Sequence, residues 1–313
     1  MNNFLVSFNV VFPIFLLMAV GYIIRHINII DALSVKKMNA VIFKLFLPMM
    51  IFKNVYESSI EDVFNKKLIV FSVVGVLAVI AALYIIVPVF EKDNLKRGVL
   101  IQAIFRSNFV IFGVPVTEAL CGTGVTGSAS VLIAIVVPLF NFFAVVTLEV
   151  FGGGKPDFKK IVKGIISNPL IISSVLGLLA LFSGIRFPDV IETSIADIAK
   201  ITTPLALIML GASINFGAVG SNKWRLIIGV CSKLIIIPSI LLPLAVFAFG
   251  FSGSELAILL AVFATPPAVS SFTMAQQMNA DSDLAGLLVM FGTVACLVTM
   301  FMWIFVIKQA GLI

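Results

Sequence analysis

Ten apolar stretches, each close to the length of a membrane-spanning helix, fill most of this 313-residue chain and leave only short polar joints between them. They cover residues 8–24, 35–55, 68–90, 98–120, 125–151, 165–182, 198–216, 224–249, 255–278 and 284–307. A hydrocarbon core of ~30 Å takes ~20 apolar residues of α-helix, so these spans consume the sequence and leave no room for a separate soluble domain. Composition agrees: 61% of residues are hydrophobic and 12% charged, at a mean hydropathy of +1.19. A soluble domain carries about a quarter charged residues, and this chain has too few to coat a water-facing globule. It is expected to be an all-α, multi-pass membrane protein with lipid as its solvent.

The net charge of +6 would suit nucleic acid in a soluble protein. Here the lysines sit in joints beside apolar runs, with no basic patch on a water-soluble element, so no nucleic-acid partner is expected. Joints one, three, five, seven and nine hold Arg25, Lys36, Lys37, Lys92, Lys96, Arg97, Lys155, Lys159, Lys160, Lys163, Lys223 and Arg225. The other side holds Lys53, Lys66, Lys67, Arg186, Lys200 and Lys308, mixed with Glu57, Glu61, Asp62, Asp189, Glu192 and Asp197. Twelve against six places joint five in the cytoplasm and both termini outside the cell membrane. Cys121, Cys231 and Cys296 show no CxxC spacing and suggest neither a metal site nor a disulfide framework. The lone histidine, His26, reads as a loop-edge residue. No cleavable leader is expected, because the first residues lack a basic side chain and the first run is long enough to stay as a helix.

The two halves read as copies. Pro13 and Pro169 are separated by 169 − 13 = 156 positions, and Gly21 with Gly177 and Pro48 with Pro204 keep the same interval. Pro88 with Pro243 falls one short of it, and Phe105 with Phe263 two beyond. Each half has about five spans, an odd number, so the second copy enters the membrane upside down. The expected division is a first repeat over residues 1–152, a cytoplasmic linker over 153–163 and an inverted repeat over 164–313. The GGGKPDFKK sequence from Gly152 breaks helix and favours the cytoplasmic face.

Inverted repeats place solute sites near the midplane, where Gly- or Pro-interrupted helices of both halves meet. Span four, IFRSNFVIFGVPV, holds Arg106, Ser107, Asn108, Gly113 and Pro115. Span nine, VFATPPAVSSFTMA, holds Thr265, Pro266, Pro267, Ser270 and Ser271. Under the repeat, Ser107 corresponds to Thr265 and Asn108 to Pro266. Proline removes a backbone donor and clashes with the preceding turn, and unwound backbone is tolerated in a membrane only inside protein or beside water. Two such breaks crossing would aim half-helix N-termini, with free N–H groups and partial positive charge, at a carboxylate. The plainer reading, two ordinary proline kinks, does not account for their matched positions.

Arg106 is the sharpest single residue. A charge near mid-span costs at least ~2.5–3.5 kcal/mol on insertion scales, and no acid lies within a helical turn of it in sequence. Its fork matches a carboxylate, so it reads as an anion ligand or a guard of the anion path. The alternative is a residue bonded to opened carbonyls or snorkelling to the interface. Asn141 is a candidate buried amide, with helix packing as its alternative. Lys44 and Lys233 are intramembrane bases that either serve function or snorkel and cap. Glu149 reads as interfacial, and Asp281 and Asp283 as a helix start. Bases outnumber acids within the spans, which favours an anionic solute. A membrane-embedded enzyme would show Asp-, His- or Ser–His-rich constellations, and none is present in the sequence, so no enzymatic activity is expected.

At the two breaks the sequence resembles the auxin efflux carrier family, which includes plant PIN carriers and bacterial malate and malonate permeases. The stretch from Ser107 to Pro115 keeps the Asn, Gly and Pro of the plant pattern L-P-N-T-x-x-x-G-I-P, at Asn108, Gly113 and Pro115. Pro266 sits at the second crossover position, with Phe291-Gly292 following in span ten. Asn168-Pro169 resembles the N-P that opens span six, and Leu47-Pro48-Met49-Met50-Ile51-Phe52 fits span two. The resemblance implies the bile-acid symporter and sodium–proton exchanger-like fold: two inverted five-helix repeats, with a scaffold from spans 1, 2, 6 and 7. Spans 3–5 and 8–10 would form the transport domain, and Asn108 and Asn168 would line the pocket. Ser107 stands where plant members have proline, and Arg106 with the short joint five resembles the bacterial branch. The implied cargo is a small carboxylate such as malate or malonate, with no cofactor, sodium or a proton as the candidate coupling ion, and a homodimer through the scaffold. A cation-centred exchanger would want a buried Asp or Glu at the crossing, and the sequence offers only hydroxyls and carbonyls there.

Overall fold

The computed structural model describes residues 2–58, 65–122, 126–152 and 158–313. Glu61, Asp62, Lys155 and most of the Gly-rich linker therefore lie outside the described residues. Among these residues the chain is helical, and six helices are long and apolar enough to cross a membrane, with shorter apolar helices beside them.

The helices are α1 (Asn2–His26), α2 (Ala32–Tyr56), α3 (Lys66–Phe90), α4 (Asn94–Phe105), α5 (Phe109–Cys121) and α6 (Thr126–Val150). After the linker come α7 (Phe158–Ile166), α8 (Pro169–Ser183), α9 (Asp189–Ser213), α10 (Phe216–Phe247), α11 (Gly253–Ala264), α12 (Ser270–Gln277) and α13 (Ser282–Gln309). Their ends follow the local chemistry. Asp31, Asn65, Asp93, Asn168 and Asp281 each accept a first-turn N–H at the start of a helix, satisfying donors that have no partner inside the helix. Asp281 is thus the helix start expected of it.

The fourth and ninth apolar stretches are each cut in two, as expected. Two other stretches differ from expectation. The helix of the seventh stretch, α9, begins at Asp189 rather than near residue 198, because Pro188 at its N-cap and two first-turn acids, Asp189 and Glu192, favour a start there despite the polar surface. The helix of the sixth stretch, α8, starts at Pro169 rather than near residue 165, and residues 158–166, mostly expected as linker, form the short amphipathic α7, since Pro169 suits the first helical position and disfavours helix before it. Pro48 and Pro238 each follow a π-helical turn, Ile42–Phe46 in α2 and Ser232–Ile236 in α10. Widening the turn absorbs the missing donor without breaking the rod.

Helix α1 lies along α9, and α2 along α8 and α9. A Cβ built on Gly21 would sit 1.8 Å from the Ile208 carbonyl oxygen, and one on Gly211 would sit 1.9 Å from that of Met18. The α1 and α9 backbones are therefore in direct contact, the close approach that small residues permit between membrane helices. Gly177 of α8 meets Val55 and the Phe52 carbonyl of α2 in the same manner, at 3.0 and 3.2 Å. Around the two breaks α4 packs on α6 and α13, while α11 packs on α5 and α10.

The basic joints gather at one end. Arg25, His26, Ile214 and Gln276 share a polar cleft there, and Glu91 accepts a hydrogen bond from Arg225, tying the α3 end to α10. The opposite end is held by Tyr56 donating to Glu192 and by Asn65 donating to Glu255. Burial works against ionisation of Glu91, but the Arg225 bond and the Asp93 amide outweigh it and hold its carboxyl below the ordinary glutamate value. A depressed folded pKa gives stability that is present above the unfolded value of ~4.3 and is lost as pH falls through the folded one. The melting temperature in detergent is expected to fall more steeply between pH 5 and pH 3 for the wild type than for Glu91→Gln, measured by tryptophan fluorescence; parallel profiles would remove this role.

Candidate functional site

The two interrupted helix pairs cross in the interior. Ser107 and Pro267 form an isolated antiparallel bridge, and the Asn108 N–H donates to the Pro266 carbonyl at 2.8 Å. One backbone break thus satisfies the other, as burial away from water requires. The approach is tight: a Cβ on Gly292 of α13 would meet Pro267 Cδ at 2.7 Å, and one on Gly113 would meet Ala261 Cβ at 2.9 Å. Pro115 lies at the start of the regular α-helical part of α5, where its missing donor costs little.

Beside the crossing lies a small cavity of about 60 Å³. From the first break it is lined by Arg106, Ser107 and Asn108, from α12 by Ser270, and from α6 by Asn141. Helices α2 and α9 close its other side with Asn54, Thr202 and Thr203. The N-termini of α5 and α12 open toward it through Phe109 and Ser270, so first-turn N–H groups and the positive dipole ends border the space.

Arg106 is 4% exposed, and its guanidinium donates to Asn141 Oδ1 at 2.5 Å and to the Met274 sulfur. Among the described residues no carboxylate lies within ion-pair distance of it. With Asn141 Oδ1 as the acceptor, its Nδ2 is buried without an acceptor among the described residues, and so is the Nδ2 of Asn108. The cavity therefore presents one buried cation and two amide donors with unused capacity, an arrangement that suits an anion's oxygens.

Other expected residues lie elsewhere. Thr265 is buried and returns its hydroxyl to the Ala261 carbonyl at 2.9 Å, the Pro266 carbonyl accepts from the Asn108 N–H, and Ser271 is buried with an unpartnered hydroxyl, none of them in the cavity lining. Asn168 caps α8 by accepting from the Leu170 N–H at 2.9 Å and does not border the cavity. Pro48 and Pro204 lie within α2 and α9 next to lining residues. Lys44 is exposed on α2, whereas Lys233 is 1% exposed and donates to the Ser107 hydroxyl. Glu149 packs against Gly164 near the linker, and His26 stacks on Tyr22 with centroids 6.0 Å apart in the polar cleft. Asn54, Thr202, Thr203 and Met274 were not foreseen; the two threonines beside Pro204 are the only sequence signal that points to any of them.

A sequence profile described as "Membrane transport protein", the auxin efflux carrier-like family, matches residues 6–153 and 158–304. The chain belongs to this family. It is 25% identical to an uncharacterized transporter of Methanocaldococcus jannaschii, over 96% of this chain and 98% of the relative. It is also 21% identical to an uncharacterized transporter of Methanothermobacter thermautotrophicus, over the same shares. As a member of this family the protein is a membrane transporter with several membrane-spanning helices.

Proposed function

We propose that the protein is a secondary transporter that moves a small carboxylate, of malate or malonate type, across the cell membrane by alternating access about the crossing of α4–α5 with α11–α12. The observation that carries this reading is Arg106, a buried guanidinium beside a cavity, with no carboxylate among the described residues to answer it. A buried unpaired charge is normally too costly to keep, and a bound anion removes that cost. The unused amide donors of Asn108 and Asn141 complete the ligand set.

Packing supports the inverted repeat behind such a cycle. Gly21 and Gly177, equivalent by sequence interval, make reciprocal contacts: the first on α9, the second on α2. In this reading α1, α2, α8 and α9 form a scaffold through which two copies pair, and the remaining spans carry the anion past it. The basic end faces the cytoplasm, with both termini outside.

The test is uptake of radiolabelled malonate and malate into proteoliposomes of the purified protein. Saturable uptake of one of them is expected, with Asn108→Ala lowering kcat/KM at least about tenfold, the effect of one lost hydrogen bond to a charged group of roughly 1.5–3 kcal/mol. Uptake by Asn108→Ala equal to wild type would remove the proposed ligand set.

A further inference from the structure

Resting on the carboxylate reading above, we infer that Lys233 is a cation built into the crossing, holding the position that an inorganic coupling cation would otherwise fill, so that anion transport needs no sodium.

The argument starts from helix ends. The last carbonyls of a helix lack intrahelical partners, and that end carries about half a negative charge. Helices α4 and α11 both end at the crossing, so two negative ends converge in a space with little water to screen them. The α4 end has Arg106 as its C-cap residue, with the guanidinium on Asn141 and Met274. Three of the last four carbonyls of α11 have side-chain donors. Ala261 accepts from Thr265 at 2.9 Å, Val262 accepts from the Ser107 hydroxyl, and Ala264 is approached by the Cys296 thiol at 3.8 Å. These donors are neutral. The charge comes from Lys233, which donates to the same Ser107 oxygen that donates to Val262.

Its placement is specific. Lys233 is 1% exposed in the π-helical turn Ser232–Ile236 of α10, and no carboxylate pairs with it among the described residues. The wider turn leaves the Leu234 carbonyl to accept from Trp303 Nε1 at 3.0 Å, which pins this part of α10 against α13. A lysine that only snorkelled would run to the membrane surface; this one runs inward to the break. Ser107, standing where plant members of the family have proline, places a hydroxyl of the first repeat between the ammonium and the Val262 carbonyl, both of the second repeat. Because the charge is covalently attached, it travels with the crossing in every state, and the site is already positive toward an incoming anion.

Two measurements on the full-length protein test this. In proteoliposomes, malonate uptake by the wild type is expected to be equal within twofold in sodium and in N-methylglucamine buffers, and Lys233→Gln is expected to lose at least tenfold. Stimulation of the wild type by sodium of tenfold or more would overturn the inference, as would wild-type uptake by folded Lys233→Gln. Should no carboxylate move at all, the functional reading fails, yet thermal melting still decides this one. Sodium at constant ionic strength should not raise the wild-type melting temperature relative to N-methylglucamine, and a sodium-specific rise would show that the crossing still takes a free cation. If Lys233→Gln does not fold, the wild-type sodium comparisons decide the matter alone.

Discussion

Arg106→Met is expected to abolish carboxylate uptake while leaving the protein as stable as the wild type or more so. The two effects separate because the guanidinium is buried without an acid partner. Without an anion its charge bears the cost of desolvation with only an amide oxygen and a thioether in return. Replacing buried charges by apolar side chains of similar volume is often neutral or stabilising by ~1–4 kcal/mol. On the carboxylate reading proposed above the same charge would supply a bidentate bond to the solute, and losing it is expected to lower kcat/KM by about a hundredfold or more, from roughly 3 kcal/mol or more of lost charge-assisted bonding. Arg106→Lys keeps the charge but not the fork, and falls between. Uptake rates in proteoliposomes and melting temperatures in detergent, measured on the same preparations, separate the two effects. A variant that melts far lower and transports normally would show that Arg106 is a packing residue.

The second large effect concerns folding. Gly211→Leu, or Gly21→Leu, is expected to prevent a stable fold, seen as loss of the monodisperse peak on size-exclusion chromatography. The added atoms would start at 1.9 or 1.8 Å from a carbonyl oxygen of the facing helix, and backbone cannot swing aside as a side chain can. Separating α1 from α9 forfeits the dispersion contacts along the whole seam, at a cost of more than about 4 kcal/mol, in the range of the most damaging substitutions. Gly220→Ala is the matched control: nothing lies within 4 Å of its built Cβ, and it sits inside α10. Alanine there is expected to leave stability unchanged or raise it by up to ~1 kcal/mol. Equal behaviour of the two glycines would mean the α1–α9 seam does not bear on stability.

Much of the architecture follows from features that act locally. Apolar length decides that a segment enters lipid, and Pro266 and Pro267 forbid a continuous helix whatever surrounds them. Asn168-Pro169 and Asp281 announced helix starts because capping is settled within one turn. Asp189 was missed as a start because apolar runs mark where a helix meets lipid, not where its hydrogen bonds begin. The cavity wall is another matter. Asn168, implied as a pocket residue by resemblance, commits its side chain to a cap, while Asn54, Thr202 and Thr203 reach the cavity from helices with no break.

What the sequence determined by itself was the solvent, the order of the helices and, at Pro266-Pro267, the place of one of the two breaks, since hydropathy and proline geometry act over a few residues. Tertiary structure alone decided that Arg106 meets Asn141 and Met274, and that Lys233 meets Ser107 across 126 positions of chain. Such pairings depend on helix rotation and depth, which packing of whole faces sets and no short stretch of residues encodes.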